Sequence, residues 1–179
     1  MRRRPQQFDD SERVIRDRAS ARKRTMDRAV RLLAAKPRSI GELRRRLLEK
    51  RWTDHEIVDE VIAKLEEYKY LDDGQYAREL AAGKLRQKPQ GPRRLRQSLA
   101  QKDLDRETVE TAVASAFETM PESELIDQAI KKRLRLKGMP ETREDSKKFY
   151  DHLLRLGFGF DLIREKLAAL KKDQDAENF

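Results

Sequence analysis

The feature that most constrains the fold of this chain is an apolar skeleton that recurs three times. Leu43, Leu47, Trp52, Ile57 and Val61 are followed by Leu95, Leu99, Leu104, Val109 and Val113, then by Phe149, Leu153, Phe158, Ile163 and Leu167. The first two sets align without a gap at an offset of 52 residues, and the third follows 54 residues after the second. A period near fifty residues has room for three helices. Each unit is therefore expected to be a three-helix module that cannot bury its apolar face alone and stacks on its neighbours.

Composition agrees with helices and argues against sheet. Charged residues make up 42% of the 179-residue chain and hydrophobic ones 37%, with only 7 Gly and 6 Pro. The expected architecture is an all-α, elongated tandem array of three helix-turn-helix-like repeats, preceded by a basic N-terminal helix or arm. The boundaries read as an arm over 1–24, repeats over 25–71, 72–120 and 121–171, and a disordered tail over 172–179.

Cap and break signals divide each repeat. Ser11 offers an N-cap for a helix reaching toward Lys36-Pro37, running either from residue 11 or, behind a frayed arm, from Thr25. Ser39 with Glu42 reads as a capping box, and Thr53 with Glu56 as a second one. Asp72 or Asp73 and Asp105 are cap candidates, and Pro92 suits the first position of a helix. Repeat three opens at Glu122 or Ser123, breaks at Gly138-Met139-Pro140, and closes with helices near 142–156 and 161–171. Arg51, Asp103 and Gly157 occupy the same place in the alignment, after the second helix of each repeat. Gly157 suggests a left-handed C-cap, so Arg51 and Asp103 are expected at positive φ as well.

Charge is unevenly placed. The chain carries 42 Lys and Arg against 33 Asp and Glu, a net +9, which suits a polyanionic partner or an acidic protein surface. Residues 1–24 contribute nine basic and four acidic side chains. Residues 84–102 hold seven basic residues and no acid, whereas residues 54–67 hold six acids and one Lys. The candidate contacts are Arg44, Arg45 and Arg46 in repeat one; Lys84, Arg86, Lys88, Arg93, Arg94, Arg96 and Lys102 in repeat two; and Lys131, Lys132, Arg133 and Arg135 in repeat three. The plain alternative is a solvated face for the first set, and aliphatic stems covering the core for part of the third. Arg2, Arg3 and Arg4, with Arg22, Lys23 and Arg24, either aid solubility or fold onto a partner.

Other chemistry finds little support in the residues. The absence of Cys excludes disulfides, thiolate metal sites and cysteine nucleophiles. Asp72 and Asp73 could pair on a metal, but adjacent carboxylates at a helix start are more simply caps. His55 and His152 lack a ligand partner at i+4, and neither a phosphate-binding Gly-rich loop nor a nucleophile with its base can be assembled. Trp52, Tyr70, Tyr76, Phe149 and Phe158 read as core packing. No signal peptide or membrane-length apolar stretch is evident, so a cytosolic protein without metal, cofactor or catalytic residues is expected.

The ordered motifs suggest a family. The string Tyr70-Leu71-Asp72-Asp73 with Tyr76-Ala77 soon after, Gly91-Pro92-Arg93-Arg94-Leu95-Arg96 before Leu99, and Leu153-Leu154-Arg155-Leu156-Gly157-Phe158, set in three tandem repeats, together resemble the RecX family over about residues 25–170. Lys69 stands where a Gly commonly precedes Tyr-Leu, and Arg51 also lacks the Gly of that pattern. The resemblance implies a monomeric, non-enzymatic modulator of the recombinase RecA. It would bind RecA and lie along the groove of the RecA-ATP-single-stranded DNA filament, suppressing ATP hydrolysis, strand exchange and the co-protease activity of the SOS response. The runner-up is a direct DNA-binding protein that grips single- or double-stranded DNA through its basic helices. A third possibility is a metal-dependent nuclease using Asp72 and Asp73.

Overall fold

The computed structural model describes residues 8–177. Its described residues form nine α-helices: α1 (Arg18–Ala35), α2 (Ile40–Leu48), α3 (His55–Glu67), α4 (Asp73–Gln87), α5 (Pro92–Ala100), α6 (Arg106–Thr119), α7 (Glu122–Lys137), α8 (Arg143–Arg155) and α9 (Phe160–Glu177), with a short 3-10 turn at Asp10–Glu12. They group in threes, as the recurring skeleton requires. Of its fifteen positions only Trp52, Leu104 and Leu167 are half-buried, and the rest are buried. In repeat one, Leu43, Leu47, Val61 and Leu65 close a core with Ala29 and Val58. Truncating such a leucine to alanine costs about 2–5 kcal/mol.

The caps explain where the helices begin. The Ser39 hydroxyl accepts from the Glu42 amide at 3.0 Å, Asp72 accepts from Gln75 at 2.8 Å, Asp105 from Thr108 at 2.8 Å, and Thr142 from Asp145 at 3.0 Å. Two expected caps are corrected. The long first helix starts at Arg18, where Asp17 accepts from Ala19 and Ser20, and not at Ser11. Residues 13 and 14 instead strap the α2–α3 turn: the Val14 amide donates to Arg51 O at 2.8 Å, and Arg13 Nη1 to Thr53 O at 2.7 Å. Helix α3 is capped by Asp54, whose carboxylate accepts from Ile57 at 2.8 Å. The hydroxyl of Thr53 is buried against that of Thr25, 3.0 Å away.

Left-handed backbone occurs where helices end, but not at all three aligned positions. Gly157 has φ +89° and Asp103 has φ +52°, as expected, whereas Arg51 does not adopt positive φ. Its turn is held by the strap just described. The unanticipated left-handed residue is Lys69, at φ +60°. The Tyr70 amide donates to Leu65 O and the Lys69 amide to Glu66 O, both at 2.9 Å, which makes a Schellman cap. The same pair of bonds ends α8, from Phe158 to Leu153 O and from Gly157 to Leu154 O. Beyond the Lys69 turn, Tyr70 points to solvent at 72% exposure and Leu71 is the buried residue, so the expected core role of Tyr70 is incorrect. Tyr76 is half-buried. At the other end of the chain, α9 runs past Lys171 through Glu177 because no Gly or Pro interrupts it; residues 172–177, expected as disordered tail, extend the helix.

The chain divides into two compact units, one of residues 1–77 with 101–108 and the other of residues 78–100 with 109–179. The division cuts through repeat two, and the same junction occurs inside each unit. In the first, the Ser39 hydroxyl donates to Lys102 O, and Gly41 lies so close to Asp103 that a Cβ would approach that residue's Cβ to 2.6 Å. In the second, the Gly91 amide donates to Leu156 O at 2.9 Å, and a Cβ on Gly91 would come within 2.5 Å of Phe158 N. Thus the start of one repeat's second helix seats on the turn after the next repeat's second helix.

Candidate functional site

A surface cation can attract a partner only as far as its charge is not already matched nearby, and the fold sorts the basic candidates by that criterion. Arg44 meets Asp59 and Arg45 meets Asp103, both at 2.8 Å, while Arg46 meets Glu49 at 2.9 Å. Arg96 Nε reaches both carboxylate oxygens of Glu110, at 3.0 and 2.8 Å, and Lys102 reaches the buried Glu42 at 3.2 Å. Such pairs add little stability, about 0–1 kcal/mol when exposed, but they cancel charge locally. Residues 84–102 contain no acid of their own, yet Arg96 and Lys102 are matched in the fold. Their acids come from α6 and α2, out of reach in the linear sequence.

Arg94 is also committed. Its Nη1 donates to Arg155 O at 3.0 Å, placing a cation at the carboxyl end of α8, and a Cβ on Gly157 would come within 2.5 Å of Arg94 N. Arg133 lies over the Phe149 ring, 5.4 Å from its centroid. Lys84, Arg86, Lys88, Arg93, Lys131, Lys132 and Arg135 carry no ion pair among the described residues.

Within the second unit, two of these, Lys88 and Lys132, come together with Arg133 and Lys137. Lys88, Lys132, Arg133 and Lys137 rim a groove of about 200 Å³ floored by Pro89, Ala129, Leu136 and Leu156, with His152 in its wall. No carboxylate lines it. Leu136 is 65% exposed in a position where an apolar side chain gains nothing from solvent. Burial, followed by the neighbouring Arg133, Arg155 and Lys88, pushes the His152 pKa below its usual value, so the imidazole is biased toward its neutral form. In the sequence His152 stands without a ligand partner at i+4, and Lys137 is one cation at the end of a basic run. No local signal joins either to Lys88, because the groove is made by folding α7 and α8 against the α4–α5 connection. A cavity of about 290 Å³ in the first unit has a different character, with Arg38, Arg45 and Arg46 faced by Glu42 and Glu49.

The carboxylates at the start of α4 are structural. Asp72 caps its own helix, and Asp73 Oδ1 accepts from the Ile40 amide at 2.8 Å, tying α4 to the start of α2. Burial raises the Asp73 pKa above the usual carboxylate value. Burial and the nearby Glu42 carboxylate raise the Tyr76 hydroxyl to about 12, and that hydroxyl lies 3.4 Å from Glu42 Oε2. Among the described residues there is no group of three or more His, Asp or Glu placed to hold a metal ion, and no helix long and apolar enough to cross a membrane. Arg2, Arg3 and Arg4 lie outside the described residues. Arg22 pairs with Glu60 at 3.2 Å, and Arg24 stacks 4.5 Å from the centroid of Trp52.

Comparison with known proteins agrees with the helical grouping. The model of the first three-helix domain of RecX matches residues 26–65, and that of the second matches residues 72–113. The regulatory protein RecX of Chlorobaculum tepidum is 30% identical over 86% of this chain and 92% of its own length. The RecX of Bacillus velezensis is 32% identical over 87% of this chain, which spans 58% of that longer protein. In fold, the crystal structure of RecX from Lactobacillus salivarius is similar, with a TM-score of 0.74 over 86% of this chain and 98% of the other at 20% identity. With both domain models matched in order and a relative covered over nine-tenths of its length, this chain belongs to the RecX family of regulatory proteins.

Proposed function

We propose that this protein regulates RecA by binding the recombinase itself and its ATP-bound filament on single-stranded DNA. Seated along the filament groove as a monomer, it restrains ATP hydrolysis, strand exchange and the co-protease activity, and so modulates recombinational repair and the SOS response in the cytoplasm. It acts by binding and catalyses nothing itself. The observation that carries this reading is the unpaired basic set of repeats two and three, of which Lys88 and Lys132 share a groove without carboxylates with Arg133 and Lys137, while the cations of α2 are matched by acids. Three repeats offer several modest contacts to successive protomers, and linked contacts of that kind reinforce one another through high effective concentration.

The competing reading, direct DNA binding through the same cations, makes a different prediction. If the protein binds chiefly phosphates, its affinity for naked DNA must account for any inhibition and must fall steeply with salt. Anisotropy of a labelled oligonucleotide, measured alone and coated with RecA and a slowly hydrolysed ATP analogue, separates the two. Tight binding to the filament with weak binding to naked single and double strands is the expected result. Equal affinity for both would replace the proposed function with the DNA-binding one.

A further inference from the structure

The groove between α7, α8 and the α4–α5 connection has two chemistries side by side. Its rim is cationic throughout, with Lys88, Lys132, Arg133 and Lys137, and its floor is aliphatic, with Pro89, Ala129, Leu136 and Leu156. A nucleic-acid strand would meet the cations, but its bases would find no Phe, Tyr or Trp to stack on, the His152 imidazole being the one aromatic ring in the lining. Phe149 is buried at 3% exposure, beneath Arg133. A cavity of about 200 Å³ instead has the capacity for one apolar side chain. Arg133, held over a ring, supplies a planar fork suited to a carboxylate.

We infer that this groove docks an acidic peptide segment that places one aliphatic side chain on the Leu136 floor and carboxylates on either side of it against the basic rim. The inference rests on the proposed function for the protein that would carry the segment; the groove supplies the chemistry by which it is chosen. The apolar anchor gives selectivity over a purely electrostatic attachment, because lysines alone accept any polyanion. His152 stands in the wall of the same groove with Lys88, Arg133 and Arg155 as its charged neighbours.

Fluorescence anisotropy on the full chain tests this with a fluorescein-labelled five-residue peptide, Asp-Glu-Leu-Glu-Asp, its Leu-to-Ser counterpart, and a five-nucleotide thymidine oligonucleotide. The Leu peptide is expected to bind at least about tenfold more tightly than the Ser peptide, the scale set by burying one aliphatic side chain. Leu136→Glu, at an exposed position, should abolish that preference without changing the helical circular dichroism, and Lys132→Glu should weaken both peptides together. Equal binding of the two peptides, an unaltered preference in Leu136→Glu, or displacement of the peptide by a more tightly bound oligonucleotide would overturn the inference. Inhibition of RecA by a chain that ignores the Leu peptide would remove the groove assignment and leave the proposed function standing. Peptide binding by a chain that leaves RecA untouched would do the reverse.

Discussion

Adding one methyl group at Gly91 should destabilise this protein, whereas the same change at Gly83, eight residues earlier, should stabilise it. Gly83 sits inside α4 with nothing within 4 Å of the position a Cβ would take. Alanine there raises helix propensity and narrows the unfolded ensemble, a gain of about 0.5–1 kcal/mol. At Gly91 the nearest atoms are the carbonyl group of Gly157 and the amide nitrogen of Phe158, the latter only 2.5 Å from the added carbon. All are backbone atoms in a Schellman turn and cannot rotate away. Overpacking of this kind costs roughly 1–3 kcal/mol, and strain on the bond from the Gly91 amide to Leu156 O costs about 1 kcal/mol more. Set against a gain of about 0.5–1 kcal/mol in the unfolded state, the net destabilisation is about 1–3 kcal/mol. Urea unfolding followed by circular dichroism reads this directly. With a slope near 2 kcal/mol per molar, the Gly91→Ala midpoint should drop by roughly 0.5–1.5 M, and the Gly83→Ala midpoint should rise by about 0.3 M. A Gly91→Ala midpoint at or above that of the wild type would refute the seating of α5 on the turn after α8.

Three further predictions test separate parts of the structure. Lys69→Gly should stabilise the chain by about 1 kcal/mol by relieving a left-handed residue with a Cβ, and an unchanged urea midpoint would contradict the Schellman cap after α3. Asp73→Ala should cost about 1–2 kcal/mol by stranding the Ile40 amide. Asp73→Asn keeps the acceptor and removes a charge that burial disfavours, so its melting temperature should stay close to that of the wild type; equal losses in both variants would show that the acceptor is not what matters. For His152 the folded pKa lies below the ordinary value of about 6.5. The unfolded chain therefore takes up the proton first, and the contribution of neutral His152 is present above that value and lost as pH falls through the folded pKa. His152→Gln should flatten the stability difference between about pH 7.5 and pH 5, and an unaltered slope would assign that difference to other groups.

Much of the fold was legible because it depends on periodicity. Burial at Leu43, Leu47, Leu95, Leu99, Phe149 and Leu153 follows from the recurring skeleton, and the caps Ser39, Asp72 and Asp105 follow from short-range chemistry. Where long-range contacts decide, the sequence pattern misleads. Arg51 aligns with Gly157, yet its turn is held by Arg13 and Val14, nearly forty residues away. Tyr70 has the composition of a core residue but lies beyond the left-handed turn at Lys69, which carries Leu71 inward in its place. The candidate site was legible as a set of cations and not as a geometry. Neither Glu110 opposite Arg96 nor the approach of Lys88 to Lys132 and His152 is encoded by neighbours in the chain.

If the protein regulates RecA as proposed, the unpaired cations of repeats two and three act on the recombinase and are not a solvated surface. ATP hydrolysis by RecA on single-stranded DNA, titrated with wild-type protein and with a folded Lys88→Glu, Arg93→Glu double variant, measures it most directly. Wild type is expected to give half-inhibition below the RecA concentration, and the variant to lose at least about tenfold in potency, or ~1.4 kcal/mol of binding. Hydrolysis unaffected by equimolar wild type, or full inhibition by the double variant, would contradict it.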